Sequence, residues 1–271
     1  IPGPDAAATL PAPLRPAGAR TLGELAFEQT PDAWRCVLAL PDVPADALLV
    51  PSLVLGDRLP EAYAMRLQWQ GAEVGIDLAP IEVLTGAKPA GPRARMDLVE
   101  IDGAGARGGL DCIETRDALR TPVLVLEGSG PAPTDAVLLV SVRARRIIVV
   151  DDGATAPELP VPAFSQMTHA AEIARHVCSP VSVAMVMAAA GRGVDPEAFA
   201  RTCEHPDHAR LFGMWPLNLA RARREGFGGL VRLFDDVAEA ARLLAAGVPI
   251  VASIRFEAGG LPDAPLPRTG G

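Results

Sequence analysis

A cysteine becomes chemically useful where its sulfur can ionise, and Cys178 is placed for that. It stands two residues ahead of Pro180 at the head of an apolar run ending at Ala190, and proline suits a helix start, where a missing N–H is harmless. The N-terminus of a helix carries partial positive charge from its unpaired N–H groups, which favours thiolate over thiol. A thiolate is the nucleophile that acyl transfer requires. Gln166 lies one short loop upstream, in Ser165-Gln166-Met167. Its carboxamide N–H, together with the Cys178 backbone N–H, could receive the oxyanion of a tetrahedral intermediate. The plainer reading of Cys178 is a small core hydrophobe, as many free cysteines are.

Acyl transfer by a thiol also needs a base. His169 and His176 are the nearest histidines in sequence. His176 is only two positions from Cys178, and an entry loop rarely folds a ring back to in-line distance over so short a span. Both read as partly exposed loop histidines. A rival chemistry is metal binding, because Cys203, His205 and His208 cluster, with His169, His176 and Cys178 not far off, and zinc accepts such nitrogen and sulfur ligands. The spacing fits no finger or ribbon, so the expectation is no metal and no other cofactor: a buried thiol at a helix end beside two solvated histidines.

Several helices must hold these residues. The first runs from near Pro180 to about Ala190, apolar around most of its circumference and therefore central, with Gly191 supplying the left-handed end. Asp195-Pro196-Glu197 starts a second, ending near Cys203. Pro216 opens a third that reaches Glu225, and Asp236 with Glu239 reads as a capping box for a fourth stopping at Gly247. Ile250 to Phe256 then reads as a strand, which makes this half α+β.

The half before Asp151 has a different character. Short apolar runs at Trp34 to Leu40, Leu48 to Leu55, Ala94 to Ile101, Val123 to Leu126 and Ala136 to Ser141 are separated by Gly, Pro and Asp. Met65, Leu67 and Trp69 alternate with Arg66, Gln68 and Gln70, so one face of that segment can be buried. These features predict an all-β module, a sandwich or jelly roll. Arg143, Arg145 and Arg146 read as the solvated face of an edge strand, and Cys36 and Cys112 either pair in an oxidising compartment or serve as core hydrophobes. The expected organisation is an Ala/Pro-rich tail over 1–20, a β-sandwich-like module over 21–155, a linker over 156–163 and a second domain over 164–271.

The second domain carries a resemblance. Ser165-Gln166, Val177-Cys178-Ser179-Pro180-Val181-Ser182, Phe212-Gly213-Met214-Trp215-Pro216-Leu217-Asn218 and Gly247 to Ile254 follow one another in an order similar to the papain-like cysteine peptidases related to the bacteriocin-processing, double-glycine peptidases. It is the stand-alone bacterial branch, with a β-rich region in front, that the chain resembles. The resemblance implies that Cys178 is the nucleophile and Gln166 the oxyanion glutamine, with a structural role for the segment around Trp215. It implies a peptide or protein substrate and no cofactor. It also places the catalytic histidine at the start of the strand after Ile250 to Phe256, and an Asp or Asn later still, whereas this sequence ends at Gly270-Gly271. The expectation is therefore a peptidase domain incomplete at its C-terminus and inactive or crippled in this form. The alternative is a non-catalytic binding or cell-envelope protein on a degenerate peptidase scaffold.

Composition narrows the partners. Of 271 residues 49% are hydrophobic and 21% charged, which excludes a wholly disordered chain, and the net charge of −8 repels nucleic-acid backbones. The most apolar stretch, Val181 to Ala190, is too short to span a bilayer. The chain opens on Ile1 rather than Met, and the tail through Arg20 lacks the basic and apolar regions of a signal peptide, reading as a trimmed end. The Ala/Pro-rich start and the β-module lean towards a secreted or cell-envelope location, without excluding the cytoplasm. Oligomeric state is not legible.

Overall fold

The computed structural model describes residues 20–22, 25–54, 62–69, 72–76, 94–95, 101–103, 105–108, 112–133, 136–144, 157–205 and 208–253. The tail before Arg20, residues 151–156 of the expected module boundary, most of the run from Ala94 to Ile101, and Arg145 and Arg146 lie outside them.

The first half forms β1 (Arg20–Leu22), β2 (Glu28–Gln29), β3 (Ala33–Ala39), β4 (Ala47–Val54), β5 (Ala62–Trp69), β6 (Ala72–Ile76), β7 (Ala94–Arg95), β8 (Ile101–Gly103), β9 (Ala106–Gly108), β10 (Ile113–Thr115), β11 (Val123–Ser129) and β12 (Val137–Ala144). They build two antiparallel sheets, one in the order β1-β12-β4-β10-β9-β8 and the other β2-β3-β11-β5-β6. Period-two patterning explains the faces: in β3, Trp34 and Cys36 are buried between exposed Arg35 and Val37, and in β5 Met65, Leu67 and Trp69 are buried. Both sheets feed one core, with Trp34, Leu67 and Leu126 from one and Leu49, Ile113 and Leu138 from the other. Phe27 caps Trp34 edge-on, ring centroids 5.3 Å apart. Thr115 joins β10 to the start of β4, accepting from the Ala47 N–H at 2.9 Å and donating to the Pro44 carbonyl at 2.7 Å.

One expectation for this half needs correction. β12 is an interior strand between β1 and β4, and Arg143 on it is half-buried, its guanidinium donating to the Phe234 carbonyl. Long-range pairing decides which strands are edges, and an alternating arginine pattern does not report it. Of the two readings open for Cys36 and Cys112, the structure has no bridge between them: Cys36 is buried in the core and Cys112 is half-buried.

The second half contains α1 (Cys178–Ala189), α2 (Pro196–Thr202), a short β13 (His208–Ala209) parallel to β7, α3 (Trp215–Arg224) and α4 (Val237–Ala245). The ends follow local chemistry. Asp195 caps α2 through the Glu197 and Ala198 N–H groups, and Asp236 caps α4 through Glu239 N–H at 2.7 Å. Gly191, at φ +83°, turns the chain out of α1 so that its own N–H reaches the Ala188 carbonyl and the Arg192 N–H the Met187 carbonyl. The expected strand over Ile250 to Phe256 is not formed at 250–253: these residues have no ladder partner, and 254–256 lie outside the description. An apolar run becomes a strand only when another strand supplies the hydrogen bonds.

The halves are not separated by solvent. Leu211, Met214, Leu217 and Ala220, on α3 and the loop before it, enter the core built by the sheets. Ser52 on β4 accepts from the Val231 N–H at 2.9 Å, and a small cleft lined by Ser52, Tyr63, Met65, Pro216, Ala220 and Arg223 marks the seam.

Candidate active site

α1 is anchored by its length and open at its mouth. Val181, Val183, Ala184 and Met187 are buried against Phe199, Ala200, Cys203, Phe212 and Ala222, whereas Cys178, its first residue, is exposed. The preceding residue, Val177, has no side-chain acceptor, so α1 lacks the cap that aspartate gives to α2 and α4. The first intrahelical bond is made by Val181 N–H to the Val177 carbonyl at 3.1 Å, and Pro180 has no N–H to offer. The N–H groups of Cys178 and Ser179 reach no acceptor among the described residues. Two amide donors and an exposed thiol therefore share one helix end, an arrangement suited to a developing negative charge beside a nucleophile.

Gln166 begins a single 3-10 turn, Gln166–Thr168, capped by Ser165, whose Oγ accepts from the Met167 N–H at 3.3 Å. The turn is fixed on both sides. Before it, the Phe164 N–H points at Met185 Sδ of α1 at 3.3 Å, and Phe164 packs on the cluster of Ile173, Val177 and Val181. After it, the Ala170 N–H donates to Glu197 Oε2 of α2 at 3.0 Å. The cluster under Phe164 is the one that holds Val177, next to Cys178, so the glutamine turn and the helix mouth rest on shared ground. Gln166 is half-buried, and no hydrogen bond joins its side chain to the Cys178 thiol.

Glu197 is the post of this arrangement, and sequence reasoning saw it only as part of a helix start. It also takes two hydrogen bonds from Arg201, at 2.7 and 3.1 Å, and Arg201 bridges on to Glu172 at 2.9 Å. The Arg201 guanidinium, and secondarily the Ala170 N–H, hold the Glu197 carboxyl below the usual carboxylate range; Arg201 does the same for Glu172. The i, i+4 spacing of Glu197 and Arg201 was a legible signal, but the reach to Ala170 was not.

The other candidates separate. His169 is more enclosed than expected: its side chain is 10% exposed, Nδ1 lies 3.7 Å from Glu197 Oε2, and Nε2 is buried without a partner. His176 is exposed, and neither histidine bonds the Cys178 sulfur. Cys203 closes α2 in the core, and burial pushes its thiol up to about 12. His205 is buried rather than solvated, because its backbone N–H docks on the Leu211 carbonyl at 2.8 Å and carries the ring inside. Among the described residues no three His, Cys, Asp or Glu side chains converge as metal ligands would; the His208 side chain is outside them. No helix among them is long and apolar enough to cross a membrane.

The comparisons bear on the half that carries this site. No curated protein and no solved structure matches the chain. Residues 158–269 match the Peptidase_C39 like family, a stretch that contains Gln166, Cys178, Glu197 and all four helices, so this part of the chain is related to C39-like cysteine peptidases.

Proposed function

We propose that Cys178 is the nucleophile of a thiol hydrolase acting on peptide or protein substrates. Its sulfur attacks the substrate carbonyl carbon, a C–S bond forms and the carbonyl π pair moves to oxygen. That oxygen is received by the free N–H groups at the α1 mouth and by the Gln166 carboxamide. Collapse breaks the C–N bond and expels the amine, which takes from solvent the proton the thiol gave up on ionising, and water then cleaves the thioester to release the carboxylic acid and return the thiolate. The observation that carries this reading is the exposed thiol on an uncapped helix end, inside the stretch matching a peptidase family. On this reading the chain combines a β-sandwich-like module over 21–155 with a papain-like region over 164–271, joined through 156–163 and sharing part of one core, in the manner of stand-alone bacterial members that work in the cell envelope or outside the cell.

A second reading is favoured by one observation: no described histidine bonds the Cys178 sulfur. On that reading the scaffold binds peptides without cleaving them. An activated ester separates the two, because p-nitrophenolate leaves without being protonated and so tests the nucleophile apart from the base. With p-nitrophenyl acetate the hydrolase reading expects a burst of nitrophenol and one acetyl group on the Cys178 peptide, followed by slow turnover. Absence of both overturns it.

A further inference from the structure

Asn218 on α3 is fully buried. Its Nδ2 donates to Ser179 Oγ at 2.6 Å and to the Phe212 carbonyl at 3.2 Å. The Phe212 carbonyl decides which way the carboxamide faces, since only the nitrogen can donate to it. Oδ1 is left buried without a partner, a desolvation cost that an apolar residue of similar size would avoid. The two hydrogen bonds are the compensation.

Ser179 directly follows Cys178 and is itself buried. The turn they form lacks what normally steadies a helix start: Val177 supplies no cap and Pro180 no N–H. A capping side chain would steady it only by occupying the Cys178 or Ser179 N–H. Asn218 grips the turn through the Ser179 hydroxyl instead, and both amide donors stay open. We infer that Asn218 is a positioning residue for the Cys178 site, holding the first turn of α1 against α3 while leaving its N–H groups for substrate. The inference rests on the reading of Cys178 as nucleophile.

The test is pH-resolved iodoacetamide labelling of the full chain, read at each cysteine peptide, for the wild type, Ser179→Ala, Asn218→Ala and the double variant, with thermal midpoints as the folding control. Alanine suits a helix interior, so Ser179→Ala keeps α1. Each single substitution is expected to slow Cys178 labelling at pH about 6.5 by roughly two- to tenfold, the worth of one hydrogen bond, and to move its profile to higher pH. The double variant is expected to be no slower than the slower single, because both singles already remove the same Asn218–Ser179 bond. Folded variants with the wild-type profile, or with simply multiplying effects, overturn the positioning role. Wild-type Cys178 that labels no earlier in pH than Cys112 overturns the nucleophile reading, and the positioning role with it, so the two failures are seen in different proteins. Should Asn218→Ala not fold, the Ser179→Ala profile decides alone.

Discussion

Cys178 and Cys203 occupy opposite poles of neighbouring helices: Cys178 opens α1 in solvent, and Cys203 closes α2 in the core against Val183, Met187 and Phe199. One chain thus contains a thiol placed to react and a thiol placed to pack. The N-terminal N–H groups beside the first favour an anion, and the apolar surroundings of the second oppose one.

Cys203 is expected to resist iodoacetamide at pH 8 in the folded chain and to label only in denaturant, since burial raises its thiol to about 12. Cys203→Ser places a hydroxyl in that apolar site and is expected to cost about 1–3 kcal/mol in urea denaturation while leaving Cys178 labelling unchanged. Fast labelling of Cys203 in the native protein would contradict the packing.

Gln166→Ala is expected to lower the acetylation rate of Cys178 by p-nitrophenyl acetate by roughly 10²-fold, the scale of one lost oxyanion donor, with little change in the thermal midpoint. Stopped-flow release of nitrophenol measures it. An unchanged burst rate would remove Gln166 from the site.

Glu197 has a folded pKa below its unfolded value, so its contribution to stability is present above the unfolded value near 4.5 and is lost as pH falls through the folded one. Glu197→Gln is expected to flatten the acid limb of the stability curve between about pH 5 and 3 and to speed hydrogen exchange at the Ala170 amide, whose acceptor is Glu197. Acid titration by circular dichroism, with amide exchange, reads both.

Leu217 lies in the core that the two sheets build. Leu217→Ala is expected to cost about 2–5 kcal/mol and to lower the unfolding midpoint of the whole chain, seen alike by fluorescence of Trp34 in the sheets and Trp215 on α3. Two separated transitions, of which only the helical one moves, would show that the halves do not share a core.

What the sequence makes legible is chemistry confined to a few neighbouring residues. Asp195-Pro196, Asp236 with Glu239, and Gly191 mark helix ends through bonds closed within one turn, and they stand where the residues put them. Alternation in Met65, Leu67 and Trp69 fixes a strand and its buried face for the same reason. The order of strands does not follow, because β11 takes partners from β3 and β5 far earlier in the chain. The site divides similarly. The placement of Cys178 at a helix start is local and legible. The ties from Ala170 to Glu197 and from Asn218 to Ser179 link residues distant in sequence, and a single asparagine in an amphipathic, arginine-rich helix carries no pattern by which to foresee its partner.

The central claim is that one sulfur, at the open end of α1, is set apart from the other three. The most direct measurement is the rate of iodoacetamide labelling at each cysteine peptide as pH is raised from about 5 to 10. The account predicts that Cys178 labels first, ahead of Cys112, while Cys36 and Cys203 stay protected. Labelling of Cys178 and Cys112 along the same curve would contradict it.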